Sequence, residues 1–344
     1  MGQLHIDVFP RLFHFKKPAG TSRGVYTERR SWYGRGTDED CPGREGWGEC
    51  APLPKLSCDD RPDYEDVLRA VCAETELAGR PDTERLRACP SMLFGLEMAF
   101  RHYERGTHAL WDTPFSRGEE GICINGLIWM GDYDSMYAQI RTKMEAGYRC
   151  IKLKIGAINF EEELELLRFV RRHFPADEVE LRVDANGAFA PADALDRLER
   201  LAELDLHSIE QPIRAGQWDE MVRLTATSPL PVAFDEELIG HCTRAAKVRL
   251  LDYLHPQYIV LKPSLHGGFS GCREWIEEAE RRGIGWWITS ALESNVGLNA
   301  IAQWCATWKP ALPQGLGTGL LFTDNVPMPL EIRKDCLWYV ADRD

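Results

Sequence analysis

The chain has 344 residues, 44% hydrophobic and 28% charged, enough for a barrel-sized domain and a smaller companion. Its 54 acidic residues against 41 basic give a net charge of −13, which argues against a nucleic-acid surface, and no apolar run approaches the roughly 18 residues of a membrane span. The opening MGQLHIDVFPRLFHF has no basic segment leading into an apolar one, so no signal peptide is read, and 11 scattered cysteines without a C-x-x-C fit a reducing cytoplasm.

In chain order, His5–Phe15 and Gly24–Gly34 read as strands around a polar, glycine-containing loop, Lys17–Gly24. Arg35–Glu45 is a charged insertion that matches no motif. Helical patterns follow at about Tyr64–Ala78 and Ser91–Glu104, the second closed by Arg105 and a Gly106 C-cap. After about residue 120 short β-rich runs alternate with amphipathic helices. The strands expected are Cys123–Trp129, Cys150–Ile155, Val179–Asp184, His207–Glu210, Pro231–Asp235, Tyr258–Lys262 and Gly285–Ser290. The helices are Tyr133–Ala146, Glu161–His173, Ala192–Leu204, Trp218–Thr227, Cys242–Leu250, Gly271–Arg282 and Val296–Thr307.

A polar residue ends one strand after another: Lys154, Asp184, Glu210, Asp235, Lys262 and Thr289, at intervals of 25 to 30 residues. One strand and one helix per interval is the period of a parallel α/β barrel, and a barrel gathers its strand ends around one mouth. Residues two apart share a face, so Lys152 points with Lys154, and Arg182 and Asn186 point with Asp184. Charges on an inward face are expensive unless paired or bound to metal. Asp184, Glu210 and Asp235 would repel one another, and a divalent cation relieves that; all-oxygen ligands favour Mg²⁺ or Mn²⁺. Lys154 and Lys262 flank the acids, and a lysine beside a metal and another cation can lose its proton near neutrality. These residues read as metal-assisted proton abstraction next to a carboxylate.

The pieces Lys152-Leu-Lys154, Arg182-Val-Asp-Ala-Asn186, Ile209-Glu-Gln-Pro212, Phe234-Asp-Glu-Glu237, Leu261-Lys-Pro-Ser264, Ser290-Ala-Leu-Glu-Ser294, Gly315-Leu-Gly-Thr-Gly319 and Phe322-Thr-Asp-Asn325 resemble, in order, the motifs of the enolase superfamily. Thr21-Ser-Arg-Gly24 and Gly46-Trp-Gly-Glu-Cys-Ala-Pro52 resemble its capping segments. Within the superfamily the chain is similar to the muconate-lactonizing subgroup, and most to its o-succinylbenzoate synthase branch. That resemblance implies an α/β fold, a (β/α)7β modified TIM barrel with an α+β capping domain built from both chain ends. The cap would span residues 1–120, the barrel 121–314, and residues 315–344 would return to the cap. Loops around Thr21–Gly24 and Pro52–Ser57 would cover the mouth.

The resemblance further implies a syn dehydration of 2-succinyl-6-hydroxy-2,4-cyclohexadiene-1-carboxylate to o-succinylbenzoate, a step toward menaquinone. Lys154 would remove the ring proton and return it to the departing hydroxyl, and Lys262 would place positive charge on the opposite face. Mg²⁺ (or Mn²⁺) would sit on Asp184, Glu210 and Asp235. Supporting positions are Lys152, deeper than Lys154; Arg182, beside Asp184 or Lys154; Asn186, at the metal shell or substrate; Thr289 and Ser290, toward a substrate carboxylate; and Glu293, orienting a lysine. His207, His241, His255 and His266 lack metal-ligand spacing and read as exposed, and Trp286-Trp287 reads as core. The partner is a small carboxylate, without nucleic acid or membrane, and self-association is left open. An N-acylamino acid racemase or dipeptide epimerase is the alternative, since two opposed lysines can also exchange an α-proton. The epimerase Asp-x-Asp is missing at Ser290–Glu293. A non-catalytic binding barrel is the third reading, and the intact lysines and acids weigh against it.

Overall fold

The computed structural model describes residues 5–21 and 24–341. Strands β1 (His5–Thr21), β2 (Gly24–Thr37) and β3 (Glu45–Cys50) form an antiparallel sheet in that order. The loop expected from Lys17 is largely strand: pairing shifts register after His14 and resumes with Ala19 opposite Tyr26. Ser22 and Arg23 lie outside the described residues. The charged Arg35–Glu45 stretch proves to be a hairpin, with Thr37 paired to Glu45. Helices α1 (Tyr64–Ala78) and α2 (Pro90–Arg105) cover this sheet, and the hairpin serves α2: the Arg44 Nε donates to the Tyr103 carbonyl at 2.7 Å in its last turn. Gly106 ends α2 in the left-handed region (φ 69°), as its C-cap position requires.

A second sheet follows, seven parallel strands in sequence order: β5 (Gly126–Ile128), β6 (Cys150–Lys154), β7 (Glu180–Asp184), β8 (Ser208–Glu210), β9 (Val232–Phe234), β10 (Tyr258–Leu261) and β11 (Gly285–Ile288). Each leads into a helix: α3 (Tyr133–Glu145), α4 (Phe160–His173), α5 (Pro191–Ala202), α6 (Trp218–Thr227), α7 (Arg244–Leu254), α8 (Gly268–Glu280) and α9 (Asn295–Ala306). Polar caps set several starts: Asp132, Asn159, Thr243 and Ser294 each accept a backbone N–H of the first turn. Gln314 and Gly315 close the ring, bridging in parallel to Ile124 on one side and Thr289 on the other. The architecture is thus a (β/α)7β barrel. The expected strand Cys123–Trp129 is split. Ile122–Cys123 (β4) leaves the barrel to pair antiparallel with the C-terminal hairpin β12 (Leu330–Arg333) and β13 (Cys336–Tyr339). Ahead of that hairpin, Phe322 bridges to Phe15 and Thr323 bonds to His14, so the returning chain also runs along β1.

Pleat alternation does the sorting that positions the site. Leu153 and Val183 face the helices and are fully buried in the main apolar core. Lys152, Lys154, Arg182 and Asp184 face the barrel interior, and Lys154, Asp184 and Glu210 sit level, each paired in register to the next strand.

Candidate active site

The barrel mouth holds a cavity of about 80 Å³ lined by Lys152, Lys154, Asp184, Glu210, Asp235 and Lys262. Leu53 and Leu56, from the segment between β3 and α1, form part of its cover. Thr289 and Ser290 reach the same space, with Trp287 below them. The structure therefore brings together every strand-end residue picked from the periodicity.

Their contacts are ionic. The Lys154 Nζ donates to Asp184 Oδ2 at 3.0 Å and to Asn186 Oδ1 at 2.6 Å. Lys152 lies 3.2 Å from Asp184 and bonds to Glu210, and Lys262 bonds to Asp235. Burial alone would raise Asp184, but Lys152, Lys154 and Lys262 hold it well below the usual carboxylate range. Burial and the nearby Asp184 and Asp235 push Glu210 up instead. Lys262 is shifted upward as well. Burial lowers it, but Asp235, Glu210 and Glu236 outweigh that and leave it above the ordinary lysine range. Lys152 is raised by Asp184 and Glu210 against the same burial.

Four carboxylates, Asp184, Glu210, Asp235 and Glu236, face three lysines around this cavity. Glu210 Oε1, Asp235 Oδ1 and Glu236 Oε2 are buried without a hydrogen-bond partner. Orphaned buried oxygens on adjacent strand ends are suited to a hard divalent cation, so the donor set fits such an ion. As placed, with ammonium groups against the acids, no three carboxylate, histidine or cysteine side chains among the described residues form a ready ion cage.

Several supporting expectations need correction. Arg182 meets neither Asp184 nor Lys154. It lies a layer deeper, donates to Glu180 Oε1 at 2.6 Å and to the Pro313 carbonyl, and stacks 4.3 Å over Trp287. Glu293 orients no lysine; it accepts from the Ala291 N–H at 2.7 Å and from Ser264. Thr289 and Ser290 keep their place on the cavity wall, Ser290 sharing a hydrogen bond with Thr318 at 2.6 Å and Thr289 donating to the Gly315 carbonyl at the barrel seam. His266 is buried rather than exposed: its Nδ1 accepts from the Lys262 N–H at 2.9 Å, and burial pushes it down to about 3. It is a neutral prop beneath Lys262.

Two residues were given no role from the sequence. Glu236 lines the cavity and accepts from Asn186 Nδ2 at 3.2 Å; its signal was the acidic run after Phe234. Gln211, in the left-handed region at φ 41°, accepts from the Asp235 and Glu237 N–H groups and donates to the Ile213 carbonyl. An amide suits this place because it must both accept and donate, which a second carboxylate could not do.

A closed ring of β/α units with lysines and carboxylates at its mouth defines a barrel enzyme of the proton-abstracting kind. The family model for the enolase C-terminal domain-like fold matches residues 135–338, and the chain belongs to the enolase superfamily. Within it, the chain is 47% identical to an o-succinylbenzoate synthase of Desulfotalea psychrophila over 92% of this chain and 94% of that protein. An o-succinylbenzoate synthase of Vibrio cholerae is 30% identical over 83% of this chain and 82% of its own. The crystal structure of MenC from D. psychrophila superposes with a TM-score of 0.82 at 40% identity, covering 98% of this chain and 100% of that one. Muconate lactonizing enzyme from Pseudomonas fluorescens shares the fold, with a TM-score of 0.83 at 22% identity, 98% of this chain and 94% of that one. Enzymes of this superfamily generally use a divalent metal. No helix among the described residues is long and apolar enough to cross a membrane.

Proposed function

We propose that the chain is a dehydratase that converts 2-succinyl-6-hydroxy-2,4-cyclohexadiene-1-carboxylate to o-succinylbenzoate. The observation that carries this reading is one cavity holding Lys154 and Lys262 with Asp184, Glu210 and Asp235, in a chain 47% identical to an o-succinylbenzoate synthase. Mg²⁺ is the proposed cofactor, held by Asp184, Glu210 and Asp235, and it would supply charge neutralisation for a substrate carboxylate.

Lys154 takes the proton from the ring carbon beside that carboxylate. Asp184 and Asn186 fix its Nζ between the strand ends, so the amine is aimed before substrate arrives. Lys262, tied to Asp235, sets positive charge on the other side of the ring while negative charge develops there. Lys154, now protonated, donates to the hydroxyl leaving from the same face, and the ring becomes aromatic. Leu53 and Leu56 exclude water above the reacting ring.

The test is to mix purified protein with the cyclohexadiene and Mg²⁺ and follow the aromatic product by ultraviolet absorbance. Asp184→Asn, Glu210→Gln and Asp235→Asn should each weaken metal binding by calorimetry and lower turnover at least about 100-fold. Faster racemisation of an N-acylamino acid than dehydration, or full activity in excess chelator, would refute the proposal.

A further inference from the structure

Outside the mouth, β4 and β13 set two cysteines directly opposite each other. Cys123 pairs with Cys336 in the antiparallel register, their sulfurs 3.5 Å apart. The neighbouring Ile124 N–H donates to the Asp335 carbonyl at 2.8 Å. Ladder bonds alternate along an antiparallel pair, so the cysteines occupy the non-hydrogen-bonded site. There, Cα atoms approach to roughly 4.5 Å, within the span a disulfide takes. Both are free thiols, Cys123 exposed and Cys336 half-buried.

Their surroundings differ. The Arg149 Nη2 donates to the Cys123 sulfur at 3.8 Å, while its Nε holds Asp335 at 2.7 Å. The Cys336 thiol donates to Asp335 Oδ1 at 3.6 Å, and burial, with Cys123 and Asp335 beside it, pushes Cys336 up to about 12. One sulfur has solvent access and a cation; its partner keeps its proton. Redox-responsive pairs divide attack and resolution in this way.

We propose that Cys123 and Cys336 form a reversible peroxide-oxidised pair, with Cys123 as the attacking sulfur and Cys336 as the resolving one. The Cys123 thiolate attacks a hydroperoxide oxygen. The O–O bond breaks, leaving Cys123 as sulfenic acid and releasing hydroxide, which takes up the thiol's lost proton as water. The Cys336 sulfur then attacks the Cys123 sulfur, the S–O bond breaks, and the hydroxyl leaves with the Cys336 proton as a second water. Two thiols lose two electrons and hydrogen peroxide gains them. The product ties β4 to β13, positions 213 residues apart, and so restrains the unfolded chain strongly.

The experiment treats the full chain with one equivalent of hydrogen peroxide and maps peptides without reduction. The expected result is a Cys123–Cys336 link, two hydrogens lighter and reversed by dithiothreitol, with a melting temperature higher by at least about 3 °C. In Cys336→Ser, dimedone should label Cys123; in Cys123→Ser, it should leave Cys336 unlabelled. Arg149→Met should slow the link at least about 5-fold, and Cys58→Ser should not slow it. Absence of the link, or a preferential link between Cys58 and Cys242, another pair of interacting thiols, would overturn the pairing. Dimedone on Cys336 in Cys123→Ser, or an unchanged rate in Arg149→Met, would overturn the assigned roles. Each readout is independent of the dehydratase activity.

Discussion

Lys154 and Lys262 carry the same charge but differ in what they touch. Lys154 is held by Asp184 and the neutral Asn186, Lys262 by Asp235 with neutral His266 beneath its backbone. If only Lys154 moves the proton, the two should respond differently to arginine. Lys154→Arg leaves a group that stays protonated at any working pH, so dehydration should fall by about 10²–10⁴-fold. Lys262→Arg keeps the charge and should retain measurable turnover, reduced by the bulk of a guanidinium. Comparing the two rates with bound metal confirmed decides the assignment, and substantial turnover in Lys154→Arg would place the base elsewhere. These lysines and the three acids were legible in the sequence because alternation and a near-constant repeat both pointed to them. Arg182 and Glu293 were not. Alternation gives a side chain's face but not its depth, and Arg182 shares Asp184's face while its guanidinium is spent on Glu180 and Trp287. His266 misled for a related reason: a histidine in a loop reads as exposed until the loop is seen folded under the strand end.

At the scale of elements, β3 is the strand that composition concealed. Glu45–Cys50 holds two glycines in six residues, which propensity reads as a break. The structure supplies the reason for them, because α2 lies directly on the strand. A Cβ on Gly48 would meet the Gly95 carbonyl oxygen at 1.8 Å, and one on Gly95 would meet the Cys50 sulfur at 2.2 Å. Backbone cannot yield as a side-chain tip does, so Gly48→Ala should destabilise the cap by about 3 kcal/mol. Gly34→Ala on the adjacent strand, where the nearest atom is an Ile6 methyl at 3.5 Å, should stay within about 1 kcal/mol. Denaturant melts of both variants check this, and equal stabilities would mean the sheet–helix approach is not tight. The barrel strands, by contrast, declared themselves: each is a short apolar run, five of them ending at a charge (Lys154, Asp184, Glu210, Asp235 and Lys262), and the errors there were of a residue or two. The exception is the first, where a single apolar run served two sheets.

Across the whole molecule, the cap is fastened to the barrel by carboxylates at helix starts. Glu49 of β3 accepts from the Ser294 and Gly297 N–H groups, both at 2.9 Å, at the start of α9. Glu97 of α2 accepts from the Phe269 N–H at 2.6 Å and from Ser270 at the start of α8. No sequence pattern announces such contacts, since each joins residues more than 170 positions apart. The two acids offer a test of how the domains are held. Burial pushes Glu97 up to about 7, although Ser270 and the Phe269 N–H pull the other way. Its ordinary value, 4.5, is the unfolded one. The folded state therefore binds the extra proton between these values, and stability falls as pH rises through that window. The stabilising contribution is full below about 4.5 and gone above about 7. Allowing for partial solvent screening, the loss should be on the order of 2 kcal/mol. Glu97→Gln keeps the shape and an acceptor but cannot ionise, so its stability relative to the unsubstituted chain should improve as pH rises from about 5 to about 8. Guanidinium unfolding of both proteins at those two pH values measures the difference directly. A gap independent of pH would mean that Glu97 stays ionised throughout, with the α8 amides and not burial governing its proton.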